Sequence, residues 1–114
     1  MTNIISTTGA AYARISGLGS YRPTRTVTNE EICEHIESSD EWIRERTGIV
    51  SRQWANDDET VIDMATAAAQ RAIADAGVAV TDIAAVVVST VSNRVVTPSV
   101  AAVVANRLGS KAAA

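Results

Sequence analysis

The run Ala84-Ala85-Val86-Val87-Val88-Ser89-Thr90 narrows the fold more than any other feature of the chain. It is uncharged, rich in β-branched residues and free of polar alternation, which reads as a strand covered on both faces. Helical patterns flank it. Upstream, Thr60 opens the longest helix, which runs to about Ala76 with Gly77 as its stop. Downstream, a loop from Val91 to Val96 leads to Thr97 as a cap and Pro98 at the first helical position, and this helix ends at Leu108-Gly109. Ser110 to Ala114 reads as the approach to another strand. Helix, buried strand, helix and the start of a strand together predict an α/β arrangement with a parallel sheet.

The part before Thr60 is more broken. Residues 1–11 are small and polar and are expected to form a flexible N-terminal tail. Tyr12 to Tyr21 alternates roughly every second residue and carries Gly17 and Gly19, which predicts a strand lying close to other backbone, ended by Pro23. Thr28-Asn29-Glu30-Glu31 is a capping-box pattern and predicts a helix over about Asn29 to Glu37. Ser38 with Glu41 repeats the signal for a second short helix carrying Trp42, Ile43, Arg44 and Arg46, with Gly48 at its left-handed stop. Ile49 to Trp54 reads as a short strand, and Ala55 to Glu59 as a turn. In the long helix, Ala65, Ala68, Ala69, Ala72 and Ala76 are small over a wide arc, which suits a crowded position between layers.

Composition removes several function classes. With 114 residues and 46% apolar content, a modest core is affordable and a purely disordered chain is excluded. A net charge of −3 argues against nucleic acid or an anionic membrane as partner. No apolar run is long enough to span a bilayer, and the first ten residues do not read as a secretory signal. The lone Cys33 rules out an internal disulfide and a cysteine-based zinc site, so the expectation is a soluble, cytoplasmic chain.

Few residues can carry chemistry. Trp42 and Arg46 stand four apart on one helix and share a face. An indole and a guanidinium together suit a nucleotide handle, such as the adenine of coenzyme A. From spacing alone, the commoner meaning of such a pair is a cation–π contact pinning a surface helix. Cys33 and His35 are two apart on a predicted helix and cannot face each other as nucleophile and base. One His and one Cys cannot build a metal cluster from the stronger ligands, and Asp57-Asp58-Glu59 reads as dipole complement and capping before a helix. Gly17-Leu18-Gly19 lacks a third glycine and a following helix, so it is not a phosphate loop. The expectation is no catalytic set, no metal and no cofactor within this chain.

Three blocks then resemble the opening of the β-ketoacyl-acyl-carrier-protein synthase III family: Gly19-Ser20-Tyr21-Arg22-Pro23, Val27-Thr28-Asn29-Glu30-Glu31, and Ser38-Ser39-Asp40-Glu41-Trp42-Ile43-Arg44-Glu45-Arg46-Thr47-Gly48-Ile49. The likeness continues through Glu59-Thr60, Ala76-Gly77, Val86, Thr97-Pro98-Ser99 and Leu108-Gly109. It implies the N-terminal part of a thiolase-like fold, a five-layer αβαβα sandwich when complete, with residues 12–114 as an incomplete stretch of the first half. It also implies a homodimer that takes an acyl group from acyl-CoA and condenses it with malonyl-acyl-carrier protein, opening type II fatty acid synthesis. The CoA-adenine tryptophan of the family falls on Trp42, its arginine on Arg46, and a nearby Ser or Thr on Ser38. Thr97 falls on a loop that borders the partner's acyl pocket across the dimer. The family's catalytic Cys, His and Asn have no counterpart here, so the 114-residue chain alone is expected to be inactive and to need the remainder of the synthase. A starter-unit ketosynthase III of polyketide biosynthesis shares the same opening, and a non-catalytic scaffold remnant of the fold is the alternative of a different class.

Overall fold

The computed structural model describes Gly9 and residues 11–110. The predicted tail lies almost wholly outside the described residues, as does the expected strand approach beyond Ser110. The elements are β1 (Arg25–Thr28), α1 (Asn29–Cys33), α2 (Asp40–Thr47), β2 (Ser51–Trp54), α3 (Val61–Ala76), a 3-10 turn at Val80–Asp82, and α4 (Val100–Leu108).

The strands β1 and β2 form an antiparallel ribbon, in which Arg25 lies opposite Trp54 and Val27 opposite Arg52. The two short helices are inserted between its strands. Val27 is fully buried, and Ile43 of α2 is buried as well. In the other part of the molecule α3 packs against α4, whose Val100, Val104 and Ala105 are buried. Polar bonds tie the elements further. Arg107 of α4 pairs with Asp63 of α3, and the Ser110 hydroxyl donates to the Ile83 carbonyl at 3.1 Å. Asp63 also completes a reciprocal cap with Thr60. The Thr60 contacts first and Arg107 second pull the Asp63 carboxyl down to about 2.

The glycine-bearing segment departs from its predicted strand but keeps its predicted closeness. Residues 12–21 form no ladder; they lie along α3 instead. An added Cβ at Gly17 would sit 2.5 Å from both the Ala72 carbonyl oxygen and the Ala76 amide nitrogen, and one at Gly19 would strike the Ala68 carbonyl and the Ala72 nitrogen. Two residues of extended chain rise about 6.6 Å and four of helix about 6 Å, so alternate glycines meet successive alanines of the 68, 72, 76 row. The Leu18 amide donates to Asp75 at 2.9 Å, Arg71 donates to the Ser20 carbonyl at 2.6 Å, and the Arg71 guanidinium lies 5.7 Å from the centre of the Tyr21 ring. The small arc of α3 is therefore a track for backbone.

Four further expectations are corrected. The first helix stops at Cys33, short of Glu37, and Glu31 pairs with Arg25 in place of closing the capping box. Ser39, not Ser38, caps α2: its hydroxyl accepts the Trp42 amide at 3.1 Å. Ser99, not Thr97, caps α4, which begins at Val100 beyond a cis Thr97–Pro98 bond. The run Ala84–Thr90 forms no ladder among the described residues, and Val87 is 92% exposed. The described sheet is the antiparallel β1–β2 pair, and among the described residues no strand is hydrogen-bonded to this run to make a parallel ladder.

Two outcomes check this packing. Gly19→Ala should cost about 1–3 kcal/mol in urea unfolding, since backbone atoms cannot move aside as a side chain can, whereas Gly9→Ala, with open space around it, should cost nothing measurable. Ser39→Ala should cost about 1 kcal/mol through the lost cap, and Ser38→Ala should leave stability nearly unchanged.

Candidate functional site

Helix α2 is built to present a tryptophan and an arginine. Asp40 and Glu41 occupy its first turn and Arg44 and Arg46 its last, matching the helix dipole at both ends. Gly48 takes the left-handed conformation at φ 71° and donates its N–H to the Arg44 carbonyl at 2.8 Å. Asp40 and Arg44 pair along the helix at 2.7 Å. That bond, with a second from Asn29, holds the Asp40 carboxyl below the usual carboxylate range.

Buried Ile43 fixes the inner face of α2, and Trp42, one residue away, is left 53% exposed. The Arg46 guanidinium stands 5.6 Å from the centre of the Trp42 ring, a cation–π contact worth about 0.5–1 kcal/mol when exposed. Arg46 forms no ion pair among the described residues, so its planar fork remains available. Beside Trp42 lies an open hollow of about 410 Å³ lined by Ile36, Glu37, Ser38, Ser39 and Trp42. The Ser38 hydroxyl oxygen is buried there without a hydrogen-bond partner. A buried hydroxyl in this state is uncommon, and Ser38 itself borders the hollow. The structure thus gathers Ser38 and Trp42 on one hollow and stacks Arg46 on the indole.

Asn29, which sequence reasoning passed over as part of a capping pattern, is the polar anchor beneath this helix. It is fully buried. Its amide donates to the Asp40 carboxylate and to the Ile49 carbonyl, each at 2.7 Å, and its oxygen accepts from Arg52 at 2.7 Å. Between a capping threonine and two glutamates its sequence context gave no signal of this role.

The remaining candidates stand apart. Thr97 is exposed on the loop before α4; nearby, Val88, Thr90, Val95, Val96, Val100 and Ala101 line a shallow hollow of about 260 Å³. Cys33 is half-buried at the end of α1, and His35 is exposed in the turn after it. Glu59 does not cap a helix: it accepts from the Asn56 backbone at 2.9 Å and from the Tyr21 hydroxyl, which lowers its own pKa and raises that of Tyr21. Among the described residues no group of three or more His, Cys, Asp or Glu could hold a metal, and no helix is long and apolar enough to cross a membrane.

No protein-family model matches the chain. The β-ketoacyl-[acyl-carrier-protein] synthase III of Streptomyces glaucescens is 54% identical over 114 residues, all of this chain and 34% of that protein. The priming β-ketosynthase of the R1128 polyketide biosynthetic pathway is similar in structure with a TM-score of 0.85 at 48% identity, over 89% of this chain and 30% of that one. The 3-oxoacyl-[acyl-carrier-protein] synthase III of Aquifex aeolicus gives a TM-score of 0.81 at 34% identity, over 87% and 32%. The chain spans about one third of the length of these relatives. By sequence over its whole length and by its α/β, thiolase-like backbone, the chain belongs to the β-ketoacyl-acyl-carrier-protein synthase III family.

Proposed function

We propose that this chain supplies the coenzyme A grip of a 3-oxoacyl-acyl-carrier-protein synthase III that acts in the cytoplasm as a homodimer. The complete protein transfers an acyl group from acyl-CoA to a cysteine thiolate, releasing the CoA thiol. Malonyl-acyl-carrier protein then loses carbon dioxide, and the resulting carbanion attacks the acyl thioester, forming the new carbon–carbon bond and expelling the cysteine thiolate. The cysteine, and the histidine and asparagine that stabilise the carbanion or its enolate oxygen, belong to the remainder of the synthase. In this reading the 114 residues alone have no condensing activity.

The observation that carries the reading is the stacked Trp42–Arg46 pair beside a hollow with an unpartnered Ser38 hydroxyl. An exposed indole gives a purine a flat face, and the guanidinium can cover the ring or grip a phosphate, with Ser38 beside them on the hollow. A second reading, a starter-unit ketosynthase III of polyketide assembly, is favoured by the likeness to a priming β-ketosynthase. Both readings use the same grip. Thr97, if it borders the partner's acyl pocket, leaves more room than a bulky aromatic and favours longer or branched primers.

In the complete protein, Trp42→Ala should raise KM for acyl-CoA about tenfold, because stacking a base on an aromatic ring is worth roughly 1–3 kcal/mol. Arg46→Ala should raise it in the same direction, and unchanged KM values in both variants would remove the grip from Trp42 and Arg46. Primer competition should show branched or longer acyl-CoAs accepted beside acetyl-CoA; strict acetyl preference would count against the role given to Thr97.

A further inference from the structure

We infer that Asn29 is the positioning residue of the coenzyme grip, although it lies beneath the helix that carries the grip and not on its ligand face. The inference rests on the reading of Trp42 and Arg46 as that grip. Helix α2 spans Asp40 to Thr47, only eight residues. Helices shorter than about 12–15 residues are marginal on their own, so tertiary contacts must set the direction of this one. Apart from Ile43, the helix buries no residue. The remaining restraint is polar, and it converges on one side chain.

The Asn29 amide reaches Asp40, the first residue of α2, and Ile49, which directly follows the Gly48 stop. One NH₂ group therefore holds the chain at both ends of the helix. Its oxygen takes a hydrogen bond from Arg52, which lies opposite buried Val27 in the ribbon. The clamp refers α2 to the ribbon, and Trp42 is only two residues beyond Asp40. Aspartate at position 29 could keep the bond from Arg52 but could donate to neither Asp40 nor Ile49, and would set two carboxylates against each other. Because binding geometry is sensitive to small displacements, loosening this clamp acts on the coenzyme before it acts on the chemistry.

The test is kinetic and calorimetric, in the complete protein, with Trp42→Ala as the reference. Asn29→Ala should raise KM for acyl-CoA and Kd for coenzyme A about fivefold or more, with kcat changed by less than about twofold. KM for malonyl-acyl-carrier protein should not move, since its phosphopantetheine arm carries no adenine. Asn29→Asp should weaken CoA binding, and the exchange pair Asn29→Asp with Asp40→Asn, which restores a donor facing an acceptor, should recover part of the loss. Should Asn29→Ala fail to fold, the exchange pair decides, and no recovery over Asn29→Asp overturns the inference. A lowered Tm with unchanged CoA affinity, or equal losses toward both substrates, also overturns it while Trp42→Ala still weakens CoA binding. If Trp42→Ala leaves CoA affinity unchanged, the grip itself is wrong and the role of Asn29 falls with it.

Discussion

A single buried amide holds together the half of the molecule that carries the candidate site. Asn29 meets the demands of both its amide hydrogens and of its oxygen with three hydrogen bonds of 2.7 Å, shared among α2, the segment after it and β2. Each such bond contributes about 1 kcal/mol net, whereas a buried polar group left without its partner costs about 1–3 kcal/mol. With Val27 and Ile43 as the buried apolar residues of this half, that asymmetry is large beside the apolar term. The arrangement of ribbon and helix is specified by hydrogen-bond directions more than by packed volume.

The other half is organised by the opposite device, the removal of side chains. Gly17 and Gly19 against Ala68, Ala72 and Ala76 bring an extended segment onto a helix backbone, where dispersion contacts are dense and no side-chain entropy is lost. Asp63 then serves two elements at once, closing the first turn of α3 and holding Arg107 of α4. Among the described residues neither half has an extensive core. The radius of gyration is 19.7 Å, against about 13 Å for a compact domain of this length.

Local signals were legible and distant ones were not. Thr60, Gly48, Gly77 and Gly109 mark helix ends where the sequence indicates, because caps depend on a few adjacent residues. Trp42 and Arg46 meet as their spacing requires. The pattern pointed to Ser38 as the cap of α2, with Glu41 to answer it, but Ser39 carries the same hydroxyl one residue on. The chain's path into α2 gives the cap to Ser39 and leaves the Ser38 hydroxyl buried without a partner. β1 was hidden in Arg25-Thr26-Val27-Thr28, a stretch that becomes a strand only through β2, far along the chain. Asn29 was hidden by its neighbours: next to a capping threonine and two glutamates it looks like ordinary helix-start chemistry, and only burial reveals its role.

The uncovered valine run has a consequence for the life of the polypeptide. Ala84 to Thr90 contains no charge, no proline and no glycine, and Val87 stands in solvent. Such a segment offers its backbone to any strand that arrives, and its composition is that of an aggregation nucleus. Asp82, two residues before the run, flanks it on one side, while the nearest charge after it is Arg94, four residues beyond Thr90, so the far end has no close gatekeeper. Until a strand pairs with this run, solubility depends on how quickly that pairing forms. The residue choice that makes a good sheet interior thus creates a race between pairing within one molecule and pairing between molecules, and expression temperature and chaperone supply would act on that race without touching the candidate site.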